Sequence, residues 1–332
     1  MSERPFHTAA QQSPTRRAPM IKFLIRKFAM ALPLLIVVPF LVFAMIELVP
    51  GDPAAILAGE NADPVQIEAV RENLNLGAPL ILRYGEWLLN AVQGDLGVSF
   101  TSGTAVIDLL VRSLGATLSL VALALLIAVV IGVSLAVAAA ARPHGKLDRI
   151  VSAASALAIA MPTFWLGLLL VSLLAIQFPL FPSFGYVSPQ EGIVAWLAHL
   201  FLPALALSVL PAAEIVMQLR SSLLNAMTTD YVLNARAKGL APSSVLFKHG
   251  MKNALVPVVT VFGFRVAEIL GGTVAIEFIF NISGLGRLAL DAVQSRDIPV
   301  MLGFVLFTTL VVVVVNLLVD LSYGYLSPKV RA

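Results

Sequence analysis

Six separate runs of apolar residues, each long enough to cross a bilayer, constrain this chain more than any other feature of its sequence. They occupy 28–49, 114–141, 150–177, 200–219, 254–280 and 300–321. About 20 helical residues cross a hydrocarbon core ~30 Å thick. Inside that core only helices and closed barrels satisfy every backbone N–H and C=O. Runs of this length predict helices, so the fold class is all-α integral membrane with six transmembrane helices. Composition agrees: 12% of the 332 residues are charged and 59% are hydrophobic, whereas a soluble domain is nearer a quarter charged. The formal charge of +3 calls for no nucleic-acid partner, because the basic residues cluster beside the runs, where membrane topology accounts for them. There is no cysteine, which removes disulfides, thiolate metal sites and cysteine nucleophiles. The four histidines, His7, His144, His199 and His249, are scattered.

The loops assign sides. Arg4, Arg16, Arg17, Lys22, Arg26 and Lys27 precede the first run; Arg142, Lys146 and Arg149 lie between the second and third; Lys329 and Arg331 close the chain. Residues 178–199 contain no Lys or Arg, and 50–113 carry more acids than bases. Excess Lys and Arg mark cytoplasmic loops, so both termini are expected in the cytoplasm. Residues 1–20 read as a disordered cytoplasmic tail. The first run reads as a retained span, since it is long and no clear cleavage site follows it.

Between the first two runs, Asp63-Pro64 opens a helix carrying Ile67, Val70 and Leu74 at helical spacing. Residues 79–92 predict another, with Tyr84, Trp87 and Leu88 on one side. Val106, Leu109 and Leu110 with Asp108 and Arg112 predict an amphipathic helix at the interface. Together they form a small helical cap outside the membrane. Inside it, the polar stretch 230–252 carries Arg236, Lys238, Lys248 and Lys252, with Arg220 just before it, against Asp230 alone. Tyr231 to Lys238 predicts a short helix stopped by Gly239, and Pro242 starts a second through Phe247 and Lys248. Two short helices hinged at a glycine beside the bilayer suit a docking element.

These residues carry a resemblance. Asp230, Tyr231, Val232, Ala235, Arg236, Ala237, Lys238, Gly239 and Leu240, followed by His249, Asn253 and Ala254, resemble the coupling loop of ABC-importer permeases of the dipeptide/oligopeptide/nickel family. The wider importer signature has Glu-Ala-Ala where this chain has Leu233, Asn234 and Ala235, a departure common in the peptide branch. Further family-like phrases are Pro50-Gly51-Asp52-Pro53, Gly94 to Phe100, Glu277-Phe278 with Gly284-Leu285-Gly286, Arg296 to Pro299 and Asn316 to Asp320.

The resemblance covers nearly the whole chain after the tail and implies a type I importer transmembrane domain: 21–113 as first helix plus extracytoplasmic segment, 114–323 as a five-helix core with its coupling loop at 220–253, and 324–332 as a cytoplasmic C-terminus. It implies a bacterial inner-membrane permease subunit moving short peptides inward. Its partners would be a homologous second permease, two cytoplasmic ABC ATPase subunits, an extracytoplasmic solute-binding protein and membrane lipid. Close relatives carry nickel, glutathione or other small solutes.

No engine is visible in the chain. A phosphate loop needs G-x-x-x-x-G-K-[ST], and the Gly145-Lys146 pair is followed by Leu147, with no glycine five residues earlier. The chain is therefore expected to be no enzyme and to bind no cofactor, with ATP and magnesium used by the partner ATPases. The coupling-loop candidates are Asp230, Tyr231, Ala235, Arg236, Ala237, Lys238, Gly239, Leu240, Lys248 and His249. Ionisable residues inside spans are costly and are functional candidates by default. Glu214, Arg265, Glu268 and Glu277 are therefore candidates for the translocation path, with structural pairing as the competing reading. Asn316 and Asp320 more simply tie helices together. A rival class is an ion-coupled secondary carrier using Glu214, Arg265 and Glu268 as a relay, although no inverted repeat is evident. An intramembrane hydrolase would need a G-x-S-x-G or related motif, which is absent.

Overall fold

The computed structural model describes residues 18–48, 53–58, 62–73, 75–241 and 244–326. Its elements are α1 (Ala18–Glu47), α2 (Pro53–Ala58), α3 (Pro64–Asn73), α4 (Leu80–Val92), α5 (Val106–Ala141), α6 (Lys146–Ala160), α7 (Thr163–Gln177), α8 (Ile193–Ala226), α9 (Asp230–Ala237), α10 (Val245–Gly250), α11 (Met251–Ile279), α12 (Leu285–Gln294) and α13 (Ile298–Leu326). Among the described residues there is no strand, only an isolated antiparallel bridge between Val98 and Ala105. Among the described residues four helices, α1, α5, α8 and α13, are long and apolar enough to cross a membrane, and α6 with α7 makes a fifth crossing if the bent pair is one span. Against the six expected, the 254–280 run is not counted with these; it lies in α11, whose 29 residues extend about 43 Å.

The run 150–177, expected as one membrane span, is broken in two, and α6 and α7 meet at 104°. The cause is local. Pro162 has no N–H to donate, and its ring forces the preceding Met161 into extended backbone (φ −87°, ψ 127°). The expected interfacial helix at 106–112 is corrected. It is the first two turns of α5, 36 residues in one piece, and Val106 and Leu110 are fully buried rather than lying on a membrane surface. At the N-terminus, Ala18 to Met20 are helical, while the rest of the expected tail lies outside the described residues.

The spine of the bundle is α5 against α8, the largest helix–helix contact in the structure. Along α5, Ala116, Leu120, Ala124, Ala128, Gly132, Ala136 and Ala140 recur every four residues and are all buried. A four-residue spacing makes successive members neighbours on the helix surface, so they form a stripe that winds slowly around α5, and its small side chains let the α8 backbone approach closely. At Gly132 a Cβ would sit 2.8 Å from Ile215 Cβ and 3.0 Å from the Ala212 carbonyl. Gly303 of α13 makes the equivalent approach to α5, where a Cβ would lie 2.5 Å from Val106 Cγ1. The consecutive Gly271 and Gly272, by contrast, abut nothing closely: no heavy atom comes within 4 Å of a Cβ at the first, and Leu207 Cδ2 lies at 3.9 Å from one at the second.

The expected outer helices are present as α3 and α4. Tyr84, Trp87 and Leu88 of α4 pack with Phe40 and Phe43 of α1 and Leu302 of α13. The Tyr84 hydroxyl donates to the Ile36 carbonyl of α1 at 2.6 Å. Burial pushes the Tyr84 phenol up, so it stays a donor throughout the ordinary pH range.

Two separated sequence phrases, Gly94 to Phe100 and Arg296 to Pro299, prove to be one structural unit. Asp297, 2% exposed, accepts from Ser99 Oγ (2.5 Å), Thr101 Oγ1 (2.9 Å) and the amides of Phe100 (3.2 Å) and Thr101 (3.3 Å). This carboxylate holds the 97–104 turn onto the outer end of α13. Asp297→Ala is expected to lower stability by about 2–3 kcal/mol, since charge-assisted bonds are lost and their donors stay enclosed. Hydrogen exchange should show amides 97–104 losing protection first; unchanged protection there would contradict the assignment.

Candidate functional site

The element expected at the inner surface grows directly from α8. Its last turn runs through Met227 to Thr229, whose carbonyl accepts from the Val232 and Leu233 amides (3.0 Å each), and α9 follows. Val232, Ala235 and Val245 are buried together against Met227, so α9 and α10 share a small core of their own. The helix stop falls where the sequence puts it. Gly239 has φ +74°, and the Leu240 amide returns to the Ala235 carbonyl at 3.4 Å, which satisfies carbonyls left over at a helix end. Pro242 and Ser243 lie outside the described residues, as do the side chains of Arg236 and His249; Lys238 is exposed and carried just before the turn. Large apolar side chains stand exposed on this element beside Asn234, Lys238 and Lys248: Tyr231 is 40%, Leu233 48%, Leu240 41% and Phe247 59% exposed.

Arg220, named from the sequence, finds a partner that was not, and the pair braces the helix that carries this element. Asp148, at the start of α6, receives Arg220 Nη2 at 2.8 Å and also Nε, a two-pronged pair from the C-terminal part of α8. The His144 amide completes the site at 2.9 Å, from a residue held at φ +62°. The turn between α5 and α6 is thereby pinned to α8 ten residues before α9 starts. A lone acid in a basic loop was the available signal, although its partner was not legible from local sequence.

In mid-bundle the structure brings three of the four intramembrane candidates together. Arg265 of α11 pairs with Glu214 of α8 and with Glu268 one turn along its own helix. The side chains are 15% (Glu214), 26% (Arg265) and 63% (Glu268) exposed. One oxygen of Glu214, Oε2, is enclosed with no partner among the described residues.

Glu277 stands apart from this trio, with no exposed surface. It accepts from Thr117 Oγ1 at 2.7 Å and the Arg287 amide at 2.9 Å, with the Gly286 amide and Thr273 hydroxyl also directed at it. The Leu285 amide in turn donates to Thr117 Oγ1 at 2.8 Å. Glu277 is thus the anion at the N-terminus of α12. The Gly284-Leu285-Gly286 phrase is glycine-flanked because a Cβ at 284 would lie 2.4 Å from Glu277 Cδ, and one at 286 would lie 2.6 Å from Val274 Cα. His199 bonds its own helix, with Nδ1 2.8 Å from the Ala195 carbonyl. Asn316 is exposed, and the Asp320 side chain lies outside the described residues.

Residues 128–332 match the family described as binding-protein-dependent transport system inner membrane component, and 20–121 match the N-terminal part of such membrane components. The chain belongs to this family. It is a multi-pass inner-membrane permease component and not a catalytic enzyme. Its relatives include a probable peptide ABC transporter permease of Sinorhizobium fredii, 37% identical over 93% of this chain and 99% of that one. The oligopeptide transport system permease AppB of Bacillus subtilis is 35% identical over 94% and 100%, and the dipeptide transport system permease DppB of Escherichia coli is 35% identical over 94% and 99%. Among solved structures, the MetNI methionine ABC transporter in an inward-facing conformation superposes with a TM-score of 0.56 at 20% identity, covering 67% of this chain and 97% of that one. At that identity the likeness is one of fold. The fold of this family member is built on the α5–α8 spine, with α9 and α10 following the C-terminal end of α8.

Proposed function

We propose that the chain is the pore-forming permease subunit of an ATP-driven importer of short peptides. It works with a homologous second permease, two cytoplasmic ATPase subunits that use ATP and magnesium, and an extracytoplasmic binding protein, and both its termini face the cytoplasm. The carrying observation is the α9–Gly239–α10 element, whose apolar residues Tyr231, Leu233, Leu240 and Phe247 are exposed around a private core. An apolar patch on a basic segment beside the membrane suits a protein cleft better than water. The peptide relatives, similar over nearly the full length of both chains, support the cargo.

In this reading residues 230–252 seat in an ATPase cleft, with Arg236, Lys238 and Lys248 supplying charge contacts. ATP-driven closure moves the element. The Arg220–Asp148 pair carries that motion from α8 into α6, shifting the bundle between outward-open and inward-open forms. The trio of Glu214, Arg265 and Glu268 lines the path. The surroundings of Glu277 support a fixed anchor for α12 rather than a place on the path.

The test is Gly239→Asp. There is open space around a Cβ at this position, and aspartate tolerates a left-handed backbone better than most residues, so the local fold should lose only about 1 kcal/mol. Insertion and permease pairing are expected to persist, while ATPase co-purification and ATP-dependent uptake of a labelled dipeptide into proteoliposomes disappear. Normal uptake by this variant would overturn the reading, as would nucleotide-free accumulation of solute by the isolated chain, which is what a secondary carrier would do.

A further inference from the structure

The free face of α11 differs from the other free faces of the bundle. On α5 and α7 the exposed positions include Leu126, Val130, Leu168 and Ile176, side chains suited to lipid. On α11, among the residues whose burial is described, the exposed positions from mid-helix outward are Glu268, Gly271, Gly272, Ala275 and, at the far end, Phe278, whose ring lies under the Arg287 guanidinium; their three- and four-residue spacing puts them on one face. Arg265 is the middle residue of α11, about 21 Å from either end, so the ion trio lies near the bilayer midplane. Charged groups at that depth turn to a water-filled path or another protein rather than to lipid.

The trio also has a sign. Two carboxylates share one guanidinium, leaving a formal surplus of one negative charge. The guanidinium is occupied on both prongs, by Glu214 through Nη2 and by Glu268 through Nη1. An incoming carboxylate would have to displace one of them. An incoming ammonium meets spare acceptors instead, the free lone pairs of the 63% exposed carboxylate of Glu268, while the enclosed Oε2 of Glu214 adds negative charge within the trio. A primary ammonium has three donors and no acceptor, which matches what is left over.

We propose that Glu268, backed by Arg265 and Glu214, is the mid-membrane station for the amino-terminal ammonium of the transported peptide. Arg265 acts as a positioning residue that holds the two carboxylates in place without contacting cargo. The proposal rests on the peptide-importer reading above. The glycines beyond Glu268 leave open space where the rest of a short peptide can lie, without selecting its side chains.

The test uses the full complex in proteoliposomes with its binding protein saturating, and three probes: Ala-Ala-Ala, its C-terminal amide and its N-acetyl derivative. Wild type and Glu268→Gln are compared for each probe, so that the binding protein's own preference divides out. Loss of one charge-assisted contact is expected to lower uptake of the free and amidated peptides about tenfold, with N-acetyl peptide uptake equal in the two proteins. Glu268→Asp, which keeps the charge, is expected to recover part of the loss. An equal fall for all three probes, no change for any, or a fall that amidation abolishes would overturn the proposal while leaving the importer intact. A wild-type complex that takes up none of the three would overturn the importer reading and this proposal with it.

Discussion

Gly132→Leu is expected to leave almost no folded protein extractable from the membrane. A Cβ at position 132 falls 2.8 Å from both Cβ and Cγ2 of Ile215 and 3.0 Å from the Ala212 carbonyl. A rotamer change cannot relieve a clash that begins at Cβ, so α5 and α8 have to separate. That separation opens the contact along which Ala128, Ala136, Leu219 and Leu223 are packed. Overpacking costs about 1–3 kcal/mol where neighbours can give. Here a backbone must move, and a loss above about 4 kcal/mol is expected, of the size that marks a specific mechanism. Gly115→Ala is the control on the same helix. Nothing lies within 4 Å of a Cβ there, and better helix propensity should give a change between zero and about +1 kcal/mol. Thermal unfolding of the two variants in detergent decides the matter; similar melting temperatures would show that α5 and α8 are not packed at this distance.

Glu277→Ala carries the second large effect. The carboxylate is enclosed and receives the Thr117 hydroxyl and the Arg287 amide, so its removal leaves these buried donors without an acceptor. Stranding partners of a buried charged group costs about 3–5 kcal/mol, and the N-terminus of α12 loses its anion as well. Glu277→Gln should recover only a part, because a carboxamide offers one acceptor oxygen where the carboxylate offers two. The local signature is expected at α12: the amides of residues 288–294 should exchange faster in Glu277→Ala while those of α5 near Gly132 keep their protection. A variant as stable as wild type would mean that Glu277 is not the cap described here and would return it to the translocation path.

Parts of the candidate site were readable in advance because their causes are local. Gly239 ends α9 in left-handed backbone, which follows from a polar helix-forming stretch meeting a glycine. Tyr84, Trp87 and Leu88 lie on one face of α4 and pack as one cluster, as their spacing required. The break at Pro162 was equally local, since a residue before proline is driven into extended backbone; its angle of 104° was not legible. The helix α12 was not foreseen, because its ten residues are too few and too mixed to announce themselves.

The sequence by itself determined that the chain crosses a membrane as helices, roughly where it does so, and to which family it belongs. The first two follow from windows of about twenty residues, over which transfer of apolar side chains into lipid is decided; the third follows from separated phrases that occur in order along the chain. Tertiary structure alone decided which polar group serves which partner. Asp148 meets Arg220 across 72 positions, Thr117 meets Glu277 across 160, and Ser99 meets Asp297 across 198. It also separated the four intramembrane candidates into an Arg265-centred trio and an enclosed cap on α12. The cost of an unpaired buried polar group is large, but it names no partner; only the packing of α5, α8 and α11 brings the particular donors and acceptors within reach.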